Sequence, residues 1–315
     1  MVGNSSSDPM PRARATVIGL TAIGMWSALA VLTLWSAPVP PFLLNALCFG
    51  IGGTLGVIWV ATGPGLAVLR GIRAPVYLFG TMGLFGYHAL YFSALRLAPV
   101  AETGLIAYLW PLFIVLLSGL LPGERLGRLH VLGATLAFGG AALIVARGGG
   151  AVNVQALPGL GLAFVGALTW AVYSVASRRF GTVPTAAVTV YCLASAVLSL
   201  LVHLVVETTV WPVGAAGWLA VVALGLGPVG LAFFTWDIGM KRGDIQLLGV
   251  AAYAAPLVST LALVLAGRAE ATVTLALSAL LIAGGAALAA RASLGVKRAV
   301  KPTAKPTVKP GETNR

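Results

Sequence analysis

Apolar residues along this chain fall in blocks of about 20, long enough for an α-helix to cross the roughly 30 Å of hydrocarbon in a bilayer. Short segments carrying arginine, proline or glycine separate the blocks. They predict spans over 15–35, 41–61, 75–95, 99–121, 128–147, 157–178, 185–206, 217–238, 244–266 and 271–291. The expected fold class is an all-α integral membrane protein with ten transmembrane helices, and no segment is left over for a soluble catalytic domain. Arg12 and Arg14 precede the first block as in a signal peptide. Its apolar core outruns the roughly 7–15 residues of a signal h-region, so it is expected to stay as the first helix.

One block is interrupted at its centre. Between Pro99 and Leu121 stands Trp110-Pro111, where proline removes a backbone donor and displaces the carbonyl of Ala107. At membrane depth such a break is tolerated where neighbouring helices or a water-filled cavity satisfy the freed groups. Pro256 interrupts the ninth span in the same way.

Composition agrees with the pattern: 59% of residues are hydrophobic and 9% charged, against roughly 45–50% and about 25% in soluble domains. The net charge of +12 lies between apolar blocks and not on an amphipathic face, so it sets orientation and gives no sign of a nucleic-acid partner. With the amino terminus in the cytoplasm, only Arg96, Arg147 and Arg268 of the 20 lysines and arginines fall outside, leaving seventeen inside. The positive-inside rule favours that orientation, with both termini cytoplasmic. Trp35, Trp59, Trp211 and Trp218 sit at span ends as interfacial anchors, whereas Trp26, Trp110 and Trp170 lie near span centres. The basic, proline-rich segment 292–315 is expected to be a disordered cytoplasmic tail.

The chain repeats itself at an offset of 144 to 145 residues. Gly139 to Leu143 returns as Gly284 to Leu288. Gly104, Tyr108 and Pro111 keep the spacing of Gly249, Tyr253 and Pro256, and Trp26 and Cys48 correspond to Trp170 and Cys192. The domains expected are a cytoplasmic segment 1–14, a first five-helix repeat 15–152, a second repeat 153–291 and the tail. Five crossings per repeat invert the second copy, a common construction of secondary transporters, whose sites form at paired interrupted helices.

Ionisable groups within spans are few: His88, Glu102, His203, Asp237 and, at a margin, Glu207. No metal-ligand spacing, catalytic carboxylate pair or activated nucleophile is present, so neither an enzyme nor a cofactor is expected. Cys48 and Cys192 read as small apolar fillers. Asp237 and Lys241 are spaced for a local ion pair. His203 shows no partner in the sequence. Glu102 either handles protons or acts as a gate, or else caps the start of its helix. Tyr87, His88 and Tyr91 share one face of the third span and either line a cavity or glue helices together. Tyr108 and Trp110 are about 200° apart on a regular helix, so both line one cavity only if Pro111 distorts the turn. Candidate substrate contacts are Tyr87, His88, Tyr91, Tyr108, Trp110, Trp170, Trp236 and Tyr253, with Pro111 and Pro256 as hinges. Aromatic faces with few charges suit an apolar or aromatic solute, including one whose ammonium lies against a ring.

The run Ala94 to Ala101 (Ala-Leu-Arg-Leu-Ala-Pro-Val-Ala) and Gly123-Glu124 resemble the EamA repeat of the drug/metabolite transporter superfamily, over about 15–291. Ala101-Glu102 followed by Tyr108-Leu109-Trp110-Pro111 resembles the fourth-helix signature of YddG-type bacterial aromatic amino-acid exporters. The resemblance implies a carrier of the inner membrane. It would export aromatic and other amino acids from the cytoplasm by alternating access around a cavity lined by helices 3, 4, 6, 8 and 9, with proton coupling left open. The second repeat departs from the pattern, with Ala255 where the first has Trp110. Export of other small organic solutes or drugs is the alternative. A scaffold or sensor without transport is a third reading, which inverted duplication disfavours.

Overall fold

The computed structural model describes residues 10–145, 154–265 and 272–299. These are helices and connecting turns, with no strand among the described residues. In chain order they are α1 (Arg12–Trp26), α2 (Leu29–Trp35), α3 (Pro41–Thr62), α4 (Ala67–Arg70), α5 (Ala74–Thr81), α6 (Tyr87–Leu97), α7 (Val100–Ala107) and α8 (Trp110–Ser118). There follow α9 (Arg128–Val145), α10 (Leu157–Ser177), α11 (Ala187–Val206), α12 (Gly214–Leu226), α13 (Ala232–Arg242), α14 (Ile245–Ala251), α15 (Ala254–Leu265) and α16 (Val273–Ala299). Seven stretches among the described residues are long and apolar enough to cross a membrane, and Glu102–Ser118 and Arg128–Leu143 are shorter apolar helices. Leu34, Leu120, Val205 and Leu280 project from the outer surface while Asn45, Ser199, His203 and Asp237 are buried. An apolar exterior with polar groups turned inward is the arrangement that lipid favours.

Several helices are less regular than an apolar block suggests. The first span breaks after Trp26, where the Ser27 hydroxyl donates to the Ile23 carbonyl at 2.9 Å and competes with the helical ladder. In the fourth span the gap falls at Tyr108 and Leu109, and Pro111 stands in the first turn of α8, where a missing N–H costs nothing. The proline therefore opens a second helix and does not sit inside a kink. Asp244 caps α14, its side chain accepting from the Leu247 N–H at 3.1 Å. The last helix continues to Ala299, so residues 292–299, expected as the start of the disordered tail, are helical, with the helix formers Ala292, Leu294, Lys297 and Arg298 beyond Arg291. Residues 300–315, Arg147 and Arg268 lie outside the described residues.

Single π-helical turns interrupt the third and eighth spans, at Met82–Gly86 between α5 and α6 and at Gly227–Leu231 between α12 and α13. The two are 145 residues apart, so the distortion itself is duplicated. Hydrophobic spacing carries no sign of it, because a π turn adds one residue without changing composition.

Contacts between equivalent helices give the orientation of the two halves. Between α9 and α16, an added Cβ at Gly133 would meet the Gly285 backbone and one at Gly140 the Ser278 backbone. Between α3 and α11, Asn45 bonds the Ser199 hydroxyl at 2.9 Å, Gly53 abuts Leu193 and Gly56 abuts Thr189. In both pairs one number rises as the other falls. Each helix thus lies antiparallel to its own duplicate, and the glycines permit the close approach. The pairing of α1 with α13 repeats as that of α10 with α6.

Candidate functional site

Four indoles meet at the centre of the bundle, from α1, α8, α10 and α13. Trp26 lies 6.0 Å from Trp110, 5.9 Å from Trp170 and 5.0 Å from Trp236, centroid to centroid. Trp110 lies 6.3 Å from Trp170 and 5.8 Å from Trp236. Phe233 joins at 5.7 Å from Trp170. These edge and tilted packings are the favoured arrangements of aromatic quadrupoles. Trp26 donates its ring N–H to the Pro228 carbonyl in the π turn at 3.0 Å, and Trp236 donates to the Ser174 hydroxyl at 3.1 Å.

A shelf of half-buried rings on α6 adjoins the indoles. Tyr87 stacks on Tyr91 at 6.0 Å and leans on Trp170 at 5.6 Å. His88 faces Phe49 at 5.1 Å and Phe233 at 6.1 Å. Its Nδ1 lies 2.7 Å from the Leu84 carbonyl, which only accepts, so Nδ1 carries the proton and Nε2 of the neutral ring remains an acceptor. Tyr108 ends α7 and packs against a second core that holds Val115 and Tyr253, whereas Trp110 begins α8 among the indoles.

Six of the eight sequence-predicted contacts, Tyr87, His88, Tyr91, Trp110, Trp170 and Trp236, are thereby brought together, and Tyr108 packs against the second core. Tyr253 departs from the expectation. It is 0% exposed, and its hydroxyl accepts from the Leu112 N–H at 3.0 Å, a donor in the first turn of α8 that no carbonyl of its own helix reaches. Sequence reasoning left Trp26 open and passed over Phe49 and Phe233. For Trp26 a signal existed, since the repeat equates it with Trp170. Glu102 lies in the first turn of α7.

Ion pairs hold both ends of the bundle. At one end Glu124 bonds Arg12 at 3.1 Å and Arg178, and Arg178 also donates to the carbonyls of Met240, at 2.7 Å, and Gly243. Arg12 reaches Asp244 at 3.6 Å. The expected pair Asp237–Lys241 forms at 2.9 Å, with the Thr185 hydroxyl donating to the same carboxylate. At the opposite end Glu207 takes Arg96 at 2.7 Å, His203 at 2.9 Å and the Phe42 N–H at 3.1 Å. His203 is thus a partnered side chain, also 2.9 Å from the Thr209 hydroxyl, its two ring nitrogens bridging carboxylate and hydroxyl. Glu124, Arg178 and Glu207 read in the sequence only as a motif residue, an inside charge and a marginal carboxylate. Apart from His203, four residues before Glu207, their ion-pair partners lie 54 to 112 residues away, at distances that local spacing does not reveal.

The EamA-like transporter family model matches residues 14–146 and 157–291. The chain is 57% identical over 283 residues to the aromatic amino acid exporter YddG of Ancylobacter novellus, covering 89% of this chain and 98% of that protein. It is 25% identical to the aromatic amino acid exporter YddG of Escherichia coli, over 89% of this chain and 97% of the relative. It is 26% identical to a probable terminal-alkyne amino-acid exporter of Streptantibioticus cattleyicolor, over 87% and 95%. A solved crystal structure aligns with a TM-score of 0.85 at 55% identity, covering 90% of this chain and 99% of that one. Two family matches, one on each antiparallel half, make this chain a member of the EamA-like transporter family.

Proposed function

We propose that this protein exports aromatic and other neutral amino acids across the inner membrane by alternating access, with ten membrane crossings and both termini in the cytoplasm. The observation that carries the proposal is the convergence of Trp26, Trp110, Trp170 and Trp236 from both halves beside the Tyr87–Tyr91 shelf. Ring faces offer an aromatic side chain dispersion and edge contacts, and they offer its ammonium the negative faces of the rings. The neutral His88, with Nε2 as acceptor, takes an ammonium hydrogen without a buried charge. A strongly anionic solute would need deep basic residues, and the arginines described above stand at the helix ends.

Trp110, Trp170 and Trp236 are buried, while Trp26, Tyr87 and Tyr91 are half-buried. The Glu124 end, cytoplasmic by the count of basic residues, is closed by Glu124 with Arg12 and Arg178. Names of relatives support amino acids as the substrate class, including side chains beyond the aromatic ones. Glu102 is the carboxylate assigned here to proton handling. Transport by Glu102→Gln that no longer responds to an imposed pH gradient is the expected result, and an undiminished response assigns coupling elsewhere.

The test of function is counterflow of labelled tryptophan, phenylalanine and small neutral amino acids into proteoliposomes. Protein-dependent exchange that unlabelled aromatic amino acids suppress is expected. Exchange that only cationic drugs suppress would give the site to other organic solutes, and absence of any exchange would remove the proposal.

A further inference from the structure

We infer that Tyr253 and Tyr108 are alternating latches, each hydroxyl capping the opened turn of the opposite interrupted helix in one of the two end states of the carrier. In this structure the latch is made once. The Leu112 N–H donates to the Tyr253 hydroxyl at 3.0 Å across 141 residues. Adding 145 to Leu112 gives Leu257, and subtracting 145 from Tyr253 gives Tyr108. The mirror bond, Leu257 N–H to the Tyr108 hydroxyl, is not made among the described residues, and Tyr108 stays half-buried at the edge of the core that holds Tyr253. A bond whose two partners both have duplicates, and whose duplicate is unmade, is what an exchange between inverted halves requires.

A second bond shows the same asymmetry independently. The Trp26 ring N–H holds the Pro228 carbonyl in the π turn of the eighth span, where the Ala232 N–H reaches back to Gly227. Their duplicates are Trp170 and Gly83. In the third span the Tyr87 N–H takes the Gly83 carbonyl, and Trp170 does not. Each unmet backbone group at membrane depth is costly, so a side chain that satisfies one in a single state weights that state.

The inference rests on the alternating-access reading, and the experiment separates the two. Spin labels are placed in proteoliposomes of the full chain carrying Cys48→Ala and Cys192→Ala. A pair at Leu120 and Thr182 reports the Glu124 end, and a pair at Val100 and Thr208 the Arg96 end; all four positions are exposed. Tyr253→Phe is expected to shift the ratio of the two distance populations about fivefold toward an open Leu120–Thr182 end. Tyr108→Phe is expected to shift it as far in the opposite sense. Shifts in the same sense, or none while both ends still show two populations, overturn the latch. A single distance at each end in the unsubstituted tyrosine background overturns alternating access and the latch with it. Should Tyr253→Phe fail to fold, Trp26→Phe and Trp170→Phe carry the same opposed expectations and the same overturning result.

Discussion

The two interrupted helices carry glycine, tyrosine and proline at identical spacing, yet the halves use them differently. In α7 and α8, Tyr108 rests half-buried on the edge of the second core and Trp110 enters the indole cluster. In α14 and α15, Tyr253 is sealed in a core with Val115, Ala137 and Ile282, and Ala255 stands where the first half has its tryptophan. One half furnishes the site and the other braces it. Duplication supplies a common scaffold, and the side chains that differ, or that sit differently, carry the task.

The largest expected effect comes from cutting the bond between halves at Glu124. Glu124→Ala leaves Arg178, with 16% of its side chain exposed, facing no carboxylate at that distance. Removing one partner of a buried ion pair costs about 3–5 kcal/mol. Thermal unfolding in detergent should show the loss, and a shift of under about 1 kcal/mol would mean that the network contributes little to joining the halves. Next in size is Gly285→Ala. Its Cβ would lie 2.4 Å from the Gly133 carbonyl oxygen, a backbone atom that cannot move aside, and overpacking of this kind costs about 1–3 kcal/mol. An unchanged midpoint would show that α9 and α16 are not packed through these glycines.

How much of this was legible in the sequence follows from the range of each interaction. Span positions, the duplication and the pairing of the broken helices rest on local composition and spacing, and the helices follow them closely. The aromatic candidates were found because rings at span centres have few other reasons to be there. Three features stayed hidden. The π turns leave composition unchanged, the Glu124 and Glu207 networks join residues distant in the chain, and Tyr253 is held by a bond to Leu112, 141 residues away. Tyr108 and Tyr253 hold the same place in the Gly-Tyr-Pro spacing, and the hydrogen bond to Leu112 and the full burial of Tyr253 tell them apart.

The asymmetry at Trp110 gives the next prediction. Trp110→Ala should lower tryptophan counterflow about tenfold, equivalent to about 1.4 kcal/mol, by removing the indole that contacts Trp26, Trp170 and Trp236 together. The readout is the ratio of tryptophan to alanine exchange, since a general folding defect would lower both alike. A ratio equal to that of the wild type would move substrate choice off the first half and weaken the contrast between furnished and braced helices.

The smallest effect is expected where the halves are alike. Gly139 and Gly284 are duplicates on α9 and α16, and a Cβ at either meets nothing within 4 Å. Alanine there removes glycine's backbone freedom in a helix interior, a gain of up to about 1 kcal/mol, without contact to offset it. Gly139→Ala and Gly284→Ala should therefore give small changes of the same sign in thermal unfolding, with exchange rates retained. Their neighbours Gly140 and Gly285 face the partner helix and should both be intolerant. Opposite signs at positions 139 and 284 would mean that the halves diverge even on their outer faces. The asymmetry would then be spread through the scaffold and not concentrated at the two broken helices.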